Sequence, residues 1–422
     1  MESLHWHTPK FRRKNEKSRK RGKMQNILVI GFDTRNIVCS ASRAGYTVCS
    51  IDAFRDLDLQ ECAYASALLE CRTSGELRQL DPNWIIAQMK AFGLGFDAIV
   101  TGSGMETLNM HSFPCPVLAS SPEAAQEASN KSHLAKRLEA LGIPHPCCYS
   151  PDELDTIEYP VILKPATGGG GIFNRVAKNR QEMLAVLEEL SRMDQGFTEK
   201  EILVQQFLEG KPASVSLLST KDESLAVAVN EQLIGTSWLS KLPFAYCGNI
   251  TPFRTEYAKE METLAEELVL ELGLLGSNGV DFLVTEKGPV VLEVNPRFQG
   301  SLDTVEKAMG INLFEAHVGC FRGELPEKPE AKLFAVRGVL YSDRELFIDR
   351  KLMEFILREK SADIPSQGTV IEPDWPLTSL FAFASTRDEA VRSLEGGAER
   401  IKTFIADQTK EERESLSPAG EA

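Results

Sequence analysis

GVDFLVTEKGPVVLEVNPRFQG, residues 279–300, contains two runs of alternating apolar and polar residues joined by a polar turn that ends at Gly288. Such alternation predicts two short strands, with the glycine supplying the backbone angles of the turn. Because residues two apart in a strand point to the same face, we expect Asp281 on the first strand to share a face with Glu293 and Asn295 on the second. A sparse set of oxygen ligands is what Mg²⁺ prefers. The alternative interpretation is an exposed hairpin with solvated acids.

Four consecutive glycines follow a predicted strand, 159–165, that ends with Lys164 and Pro165. They are Gly168, Gly169, Gly170 and Gly171. Ordering them costs more conformational entropy than an ordinary turn requires. A mobile loop whose backbone amides fold over phosphate groups explains all four, and a flexible linker is the alternative.

A lysine opens the predicted helix over 131–141. A cation in the first turn is unfavourable unless an anion lies nearby, so Lys131 weakly indicates a phosphate. The next strand, from residue 202, ends in a segment suited to an adenosine, since adenine is often held by backbone groups of an interdomain strand and an acid can bind the ribose. That segment comprises Gln205, Gln206, Phe207, Leu208 and Glu209.

Residues 24 to about 120 alternate apolar strands with a helix, which predicts a doubly wound α/β domain. The turn after the first strand lacks the Gly-x-Gly-x-x-Gly pattern, which argues against a dinucleotide site. We interpret this part as a scaffold and a wall of the substrate site. Ser103 or Glu106 could face a ligand there, although turn structure alone explains both.

The net charge of −14 is unevenly distributed, because residues 1–23 carry nine Lys or Arg against two Glu. This basic arm is predicted to be disordered. The acidic remainder argues against a nucleic-acid partner, and no run is long and apolar enough to span a membrane. Nine cysteines without a Cys-x-x-Cys motif predict reduced thiols and a cytoplasmic location.

In this order, the lysine at a helix start, the strand with Lys-Pro and a glycine run, the segment Gln-Gln-Phe-Leu-Glu-Gly and the acidic hairpin closely resemble the ATP-grasp superfamily. The resemblance covers residues 24–325 and is strongest to carboxylate-amine ligases and predicted carboligases related to biotin carboxylase. It implies an ATP-grasp fold of α/β and α+β parts. The implied divisions are a basic arm (1–23), a doubly wound pre-ATP-grasp domain (24–120), an ATP-grasp domain (121–325), a small C-terminal α+β segment (326–406) and a disordered tail (407–422).

The resemblance also implies roles for the candidate residues. Lys131, Lys164 and the glycine loop would bind the ATP phosphates, and residues 205–209 the adenosine. Asp281, Glu293 and Asn295 would hold Mg²⁺ or Mn²⁺. Arg297 would contact the acylphosphate or the carboxylate substrate, with Lys164 as its catalytic neighbour.

The implied reaction joins a small-molecule carboxylate to an amine through an acylphosphate, releasing ADP and phosphate. One departure concerns the biotin carboxylases, whose motif continues as Val-Glu-His where this chain has Gly300-Ser301-Leu302. The basic glutamate of that family is therefore missing, which argues against biotin carboxylation. Gln205 and Gln206 also stand where many relatives have a Glu.

Two other functions stay open. One is an ATP-binding regulatory protein with the fold but without ligase turnover, against which the intact acids weigh. The other is an enzyme that transfers phosphate without a second substrate. A homodimer is usual among the proteins resembled. The substrates are not readable from the sequence. Arg337, in the predicted C-terminal strand 335–343, could reach the active site, and an ordinary surface arginine is the alternative.

Overall fold

The computed structural model describes residues 24–69, 80–106, 108, 110–149, 157–192 and 201–416. The predicted basic arm and residues 417–422 of the predicted tail lie outside the described residues. Three sheets carry most of the fold: a parallel sheet of five strands and antiparallel sheets of four and eight strands. No described helix is both long and apolar enough to cross a membrane.

The five-stranded sheet forms the N-terminal part, in the order β3-β2-β1-β4-β5. Its strands are β1 (Asn26–Gly31), β2 (Thr47–Asp52), β3 (Ala65–Leu68), β4 (Ala98–Thr101) and β5 (Val117–Leu118), and its helices are α1 (Arg35–Arg43), α2 (Leu57–Cys62) and α3 (Pro82–Ala91). Strand β1 is central, with Ile27 and Val29 packed towards α1 and Leu28 and Ile30 towards α3. Both faces of the strand are thus covered by apolar groups, which is why its sequence is continuously apolar. The predicted doubly wound sheet is confirmed.

The four-stranded sheet follows a short 3-10 helix (Met110–Ser112) and two helices, α4 (Pro122–Ser129) and α5 (Lys131–Leu141). It comprises β6 (Cys148–Tyr149), β7 (Val161–Pro165), β8 (Arg175–Ala177) and β9 (Ile202–Gln206), with α6 (Arg180–Arg192) before β9. The order is β6-β9-β7-β8, so the end of β9 lies beside β7. Asn130 caps α5 through its side chain, and Gly142 ends it in the left-handed conformation. The helix therefore begins at Lys131, as the sequence predicts.

The eight-stranded sheet has the order β14-β13-β10-β11-β12-β15-β19-β17. The strands from here on are β10 (Lys211–Ser219), β11 (Ser224–Ile234), β12 (Tyr246–Thr251), β13 (Gly276–Thr285), β14 (Gly288–Asn295), β15 (Phe334–Tyr341), β16 (Leu346–Phe347), β17 (Ser361–Ala362), β18 (Val370–Ile371) and β19 (Pro376–Ala384). The helices are α7 (Ala258–Glu271), α8 (Leu302–Met309), α9 (Leu313–Cys320), α10 (Arg350–Arg358) and α11 (Arg387–Leu416). Strands β16 and β18 pair separately. The predicted hairpin is β13–β14.

The C-terminal strands continue this same sheet, because β15 pairs with β12 in antiparallel register, Gly248 opposite Gly338. The sequence predicts the strands but not their partner, since pairing between distant segments leaves no local signal. The sequence also places the last helix at 387–404 and disorder from 407, whereas α11 runs to Leu416.

One cysteine pair departs from the expectation of reduced thiols throughout. Cys39 and Cys62 form a disulfide, with their Cα atoms 5.1 Å apart. The pair connects α1 to the end of α2, two helices that the fold brings side by side. The other six cysteines in the described ranges form no disulfide, and Cys71 lies outside those ranges.

Candidate active site

A cavity of about 1090 Å³ lies where the three sheets meet. It is lined by every residue that the sequence predicts for the site: Lys131, Lys164, Gly168, Gly169, Gly170, Gly171, Gln205, Gln206, Phe207, Leu208, Glu209, Asp281, Glu293, Asn295 and Arg297. These residues come from segments up to 166 positions apart in the chain. The fold therefore assembles them at one place, although each role remains a prediction.

The two acids of the hairpin lie directly opposite each other. Asp281 pairs with Glu293 in the register of β13 and β14, and the register shifts immediately after Asp281. The side-chain amide of Asn295 donates a hydrogen bond to Oδ2 of Asp281 at 3.2 Å. The other oxygen of Asp281, Oδ1, is buried and has no hydrogen-bond partner among the described residues.

This unpartnered oxygen fits a metal ligand. Burial raises the pKa of Asp281 well above its ordinary value, and the charge of Glu293 adds to the effect. A bound cation would supply the missing partner and hold the carboxyl group ionised. In the described part of the chain no three His, Cys, Asp or Glu side chains come together as a metal site. A divalent ion here would thus complete its shell with water and nucleotide oxygens, as Mg²⁺ usually does.

Two lysines face the acids. Nζ of Lys131 lies 3.1 Å from Oε2 of Glu293 and donates to the carbonyl oxygen of Gly168 at 2.7 Å. Lys164 is buried on β7, and burial together with the charge of Lys131 lowers its pKa to about 8. Burial opposes ionisation of Glu293, but Lys131 and Lys164 outweigh it and lower the pKa of this carboxyl group to about 2. The site thus carries charged groups of both signs, suited to a polyanion with a divalent cation.

The glycine loop folds against the segment before β12. The backbone amide of Tyr246 donates to the carbonyl oxygen of Gly170 at 3.0 Å. Gly168, Gly170 and Gly171 all have φ between +71° and +97°, where other residues are strained. At Gly171 an added Cβ would lie 2.0 Å from the carbonyl oxygen of Phe244, so the loop's position requires glycine there.

The segment predicted to hold adenosine lies at the edge of the cavity. Gln205 is buried, and its amide nitrogen lies 3.3 Å from Sγ of Cys148. The ring of Phe207 meets that of Phe244 edge to face, with centroids 6.4 Å apart. No group among the described residues accepts a hydrogen bond from the backbone amide of Leu208. A free amide beside aromatic rings is suited to a flat heteroaromatic ligand.

Arg297 is held by the N-terminal part of the chain. Its Nε lies 2.6 Å from Oε1 of Glu106. Arg297 lines the cavity, and both side chains are about one-fifth exposed. Ser103, the other residue considered in this turn, also lines the cavity. Oε1 of Glu106 also accepts a hydrogen bond from the backbone amide of Gly104 at 3.3 Å, so the turn structure that the sequence left as the alternative is present together with the tertiary contact to Arg297.

Several lining residues were not predicted for the site. Arg337 is buried, donates to the carbonyl oxygen of Gly300 at 2.9 Å and pairs with Asp363 at 2.7 Å. Asp33 and Asp56 line the N-terminal wall. They follow β1 and β2, so the rule that ligands bind at the carboxyl ends of parallel strands could have singled them out. Arg337 lines the cavity and is buried, so it is not the surface arginine that the sequence left as the alternative. Asp363 had no comparable signal.

Part of the chain matches a known protein family. Residues 128–301 match a protein family described as an ATP-grasp domain. The chain is 26% identical to the uncharacterized protein MJ0776 of Methanocaldococcus jannaschii over 401 residues, 92% of this chain and 94% of that protein. It is 29% identical to the carbamoyl phosphate synthase large chain of Pyrococcus furiosus over 239 residues. That match spans 53% of this chain but only 22% of the synthase chain.

A solved structure has the same fold. Biotin carboxylase of Campylobacter jejuni, solved as a beta-gamma-ATP complex, superposes with a TM-score of 0.68 at 17% identity. The superposition covers 88% of this chain and 90% of that one. At this identity the likeness establishes the fold alone. The predicted fold, which includes a doubly wound domain before the ATP-grasp domain, is confirmed.

Proposed function

We infer that this protein, whose residues 128–301 form an ATP-grasp domain, is an ATP-dependent ligase that joins a small-molecule carboxylate to an amine and releases ADP and phosphate. The observation that carries the proposal is the pair Asp281 and Glu293 with Lys131 against it. A buried carboxylate oxygen without a partner and an adjacent lysine are what a metal-nucleotide complex would complete.

In this proposal the nucleotide lies along the cavity. Residues 205–209 contact the adenosine, with the Leu208 amide as the free donor. The glycine loop and the two lysines contact the phosphates. Asp281, Glu293 and Asn295 hold Mg²⁺ or Mn²⁺, which when bound neutralises phosphate charge and orients the γ-phosphate.

The reaction proceeds in two displacements. An oxygen of the substrate carboxylate attacks the γ-phosphorus, the bond to the bridging oxygen breaks, and ADP leaves with that electron pair. The neutral amine then attacks the acyl carbon, the bond from this carbon to the phosphate oxygen breaks, and inorganic phosphate leaves while the nitrogen gives up a proton. The side chains of the site bind charge as it moves from one oxygen to another, so the catalysis is mainly electrostatic.

Arg297 is the residue placed to contact the carboxylate or the acylphosphate. Its Nε is occupied by Glu106, and its Nη1 donates to the carbonyl oxygen of Phe298 at 3.4 Å, so Nη2, beside Gly169 of the glycine loop, is the nitrogen left to face the cavity. A paired guanidinium is held in one orientation and can present its remaining donor nitrogen to a carboxylate. Glu106 is thus proposed as a positioning residue that acts through Arg297.

The test is release of ADP from ATP and Mg²⁺ with pools of small carboxylic acids and amines, comparing wild type with Glu293→Gln. We expect release that requires both an acid and an amine and falls about 100-fold or more in the variant, because several kcal/mol of charge stabilisation are lost. Glu286→Gln, an exposed residue in the turn of the same hairpin, is the matched control and should keep full activity.

The outcomes separate the candidate functions. An amide product with ADP supports the ligase. A phosphorylated acid that accumulates without any amine supports a phosphate-transferring enzyme instead. If wild type binds ATP but no pool stimulates ADP release, the regulatory function is favoured and the ligase proposal fails.

A further inference from the structure

Two aspartates line the cavity wall formed by the N-terminal sheet. Asp33 follows β1, and Asp56 immediately precedes α2 after β2. Strands β1 and β2 are parallel neighbours, so the loops after them meet at one edge of the sheet. Neither residue belongs to the phosphate and metal group described above.

Asp56 is buried without a partner. It is only 9% exposed, and no described residue donates a hydrogen bond to its carboxylate or forms an ion pair with it. Its position before α2 is that of a helix cap, but its side chain makes no capping hydrogen bond. Asp33 likewise has no partner among the described residues. A buried carboxylate without a partner is costly, so its retention needs an explanation.

The arginines around these aspartates form ion pairs with other aspartates, and Nη2 of Arg35 is a buried nitrogen with no hydrogen-bond partner among the described residues. Arg35 contacts Asp363 at 2.7 Å and Asp303 at 2.9 Å, and Arg337 contacts Asp363 at 2.7 Å. Nearby in sequence, Arg55 points instead to the hydroxyl of Ser66, at 3.2 Å.

Carboxyl groups outnumber the arginines at this wall. Six aspartates that act on one another or on the two buried arginines lie here: Asp33, Asp52, Asp56, Asp58, Asp303 and Asp363. The carboxylate of Asp52 accepts hydrogen bonds from the backbone amides of Thr34, Phe54 and Arg55. Burial and the charge of Asp363 raise the pKa of Asp33 to about 7, and burial and the same aspartate raise the pKa of Asp56. A cation at the wall would relieve this excess.

Two aromatic rings complete the wall. Phe32 and Phe54 both line the cavity, and their rings meet edge to face with centroids 5.1 Å apart. Each is adjacent in sequence to one of the loops that carry the aspartates. Ammonium and guanidinium groups bind favourably near aromatic faces as well as to carboxylates. The aromatic rings beside the carboxyl groups therefore favour an organic cation.

We propose that Asp33 and Asp56 bind a positively charged ammonium or guanidinium group of the substrate, next to the group that reacts. The substrate class is then a diamine or a basic amino acid rather than an amine that has no second cationic group. This inference rests on the proposed function only in assuming that the cavity that holds the nucleotide also holds the second substrate. Asp33 and Asp56 act as binding residues and take no part in proton or phosphate transfer.

The test is calorimetric binding to the full chain at pH 7.5, with Mg²⁺ and a non-hydrolysable ATP analogue present. The probes are 1,4-diaminobutane, ornithine, lysine and arginine, each matched with a compound of similar length that lacks the second cation, such as 4-amino-1-butanol or norleucine. We expect at least one basic compound to bind about tenfold or more tightly than its match, and Asp56→Asn and Asp33→Asn to abolish that preference.

Controls keep the outcome interpretable. Asp222→Asn, in an exposed turn, should leave the preference unchanged, and both cavity variants should bind the ATP analogue as wild type does, which shows that they fold. The inference is overturned if no basic compound binds better than its match, or if the preference survives in both variants.

The same proteins in the ADP-release assay separate this inference from the proposed function. Aspartate-dependent binding of a basic compound without stimulated ADP release supports the cation site and contradicts the ligase. ADP release that requires an acid and an amine, but does not depend on a second cationic group in the amine, supports the ligase and overturns the cation site.

Discussion

At the scale of single residues, the site depends on which charges are compensated. Glu293 is ionised because two lysines outweigh its burial, whereas Asp281, across the hairpin, is held towards its protonated form by burial and by Glu293. The pKa of Lys164 is lowered, since this lysine is buried and lies near the charge of Lys131. The same side-chain types thus differ in protonation because their neighbours differ.

We expect Lys164 to make ATP binding sensitive to pH. Its pKa is lowered to about 8, so the group is charged below pH 8 and neutral above it. If the charged form contacts phosphate, binding of a non-hydrolysable ATP analogue should weaken about tenfold between pH 7 and pH 9. Titration calorimetry at several pH values measures this.

Lys164→Arg is the control, because arginine stays charged over the whole range. Its affinity for the analogue should change little between pH 7 and pH 9. A wild-type dissociation constant that is equal at both pH values would contradict a phosphate contact for Lys164.

At the scale of elements, two connections position the site. The hairpin β13–β14 sets Asp281 opposite Glu293, and the register shift after Asp281 lets the rest of the strand pair differently. The glycine loop after β7 is held by the Tyr246 amide and passes close to Phe244. The first feature follows from local alternation, and the second depends on a segment about 75 residues later.

Gly171→Ala should prevent the loop from taking this position. Its Cβ would lie 2.0 Å from the Phe244 carbonyl oxygen, which is backbone and has little freedom to move. We expect the dissociation constant of the ATP analogue to rise about tenfold or more, while the free energy of unfolding falls by only about 1–2 kcal/mol for the positive φ.

Gly170→Ala separates the contact from the backbone strain. Gly170 has φ +80°, and an added Cβ there meets nothing within 4 Å. Its variant should have a similar effect on stability and a much smaller effect on nucleotide affinity. Equal losses of affinity in the two variants would show that the close approach to Phe244 is unimportant.

At the scale of the whole molecule, a buried ionic network connects the three parts of the chain. Arg35 from the N-terminal helix α1 contacts Asp303 on α8 and Asp363 in the C-terminal part, and Arg337 on β15 shares Asp363. Arg35 and Arg337 are about 5% exposed. The network borders the cavity, so it fixes the N-terminal wall relative to the central sheet.

Arg35→Met should destabilise the protein strongly, because it leaves the largely buried Asp303 and Asp58 without their cation and Asp363 with Arg337 alone. Removing one partner of a buried ion pair typically costs about 3–5 kcal/mol. Chemical denaturation measures the loss. Arg350→Met removes an exposed pair with Glu354 and should cost less than about 1 kcal/mol. A loss that small for Arg35→Met would show that the network contributes little.

The sequence predicted the features that depend on a short segment alone. The alternation of the hairpin, the apolar run of β1 and the start of α5 at Lys131 each follow from periodicity and capping within a few residues. The glycine run indicated a phosphate-binding loop, because ordering four glycines costs more conformational entropy than an ordinary turn requires. All of these segments line or support the same cavity in the structure.

Other features were decided only by the tertiary structure. The pairing of β15 with β12, the disulfide between Cys39 and Cys62, the contact of Glu106 with Arg297 and the uncompensated Asp33 and Asp56 all join segments that the sequence separates or leaves unpaired. Periodicity and residue type report a segment's own conformation and exposure, because these depend on near neighbours. Which distant group neutralises a charge depends on how sheets and helices pack, and that is set by the whole fold.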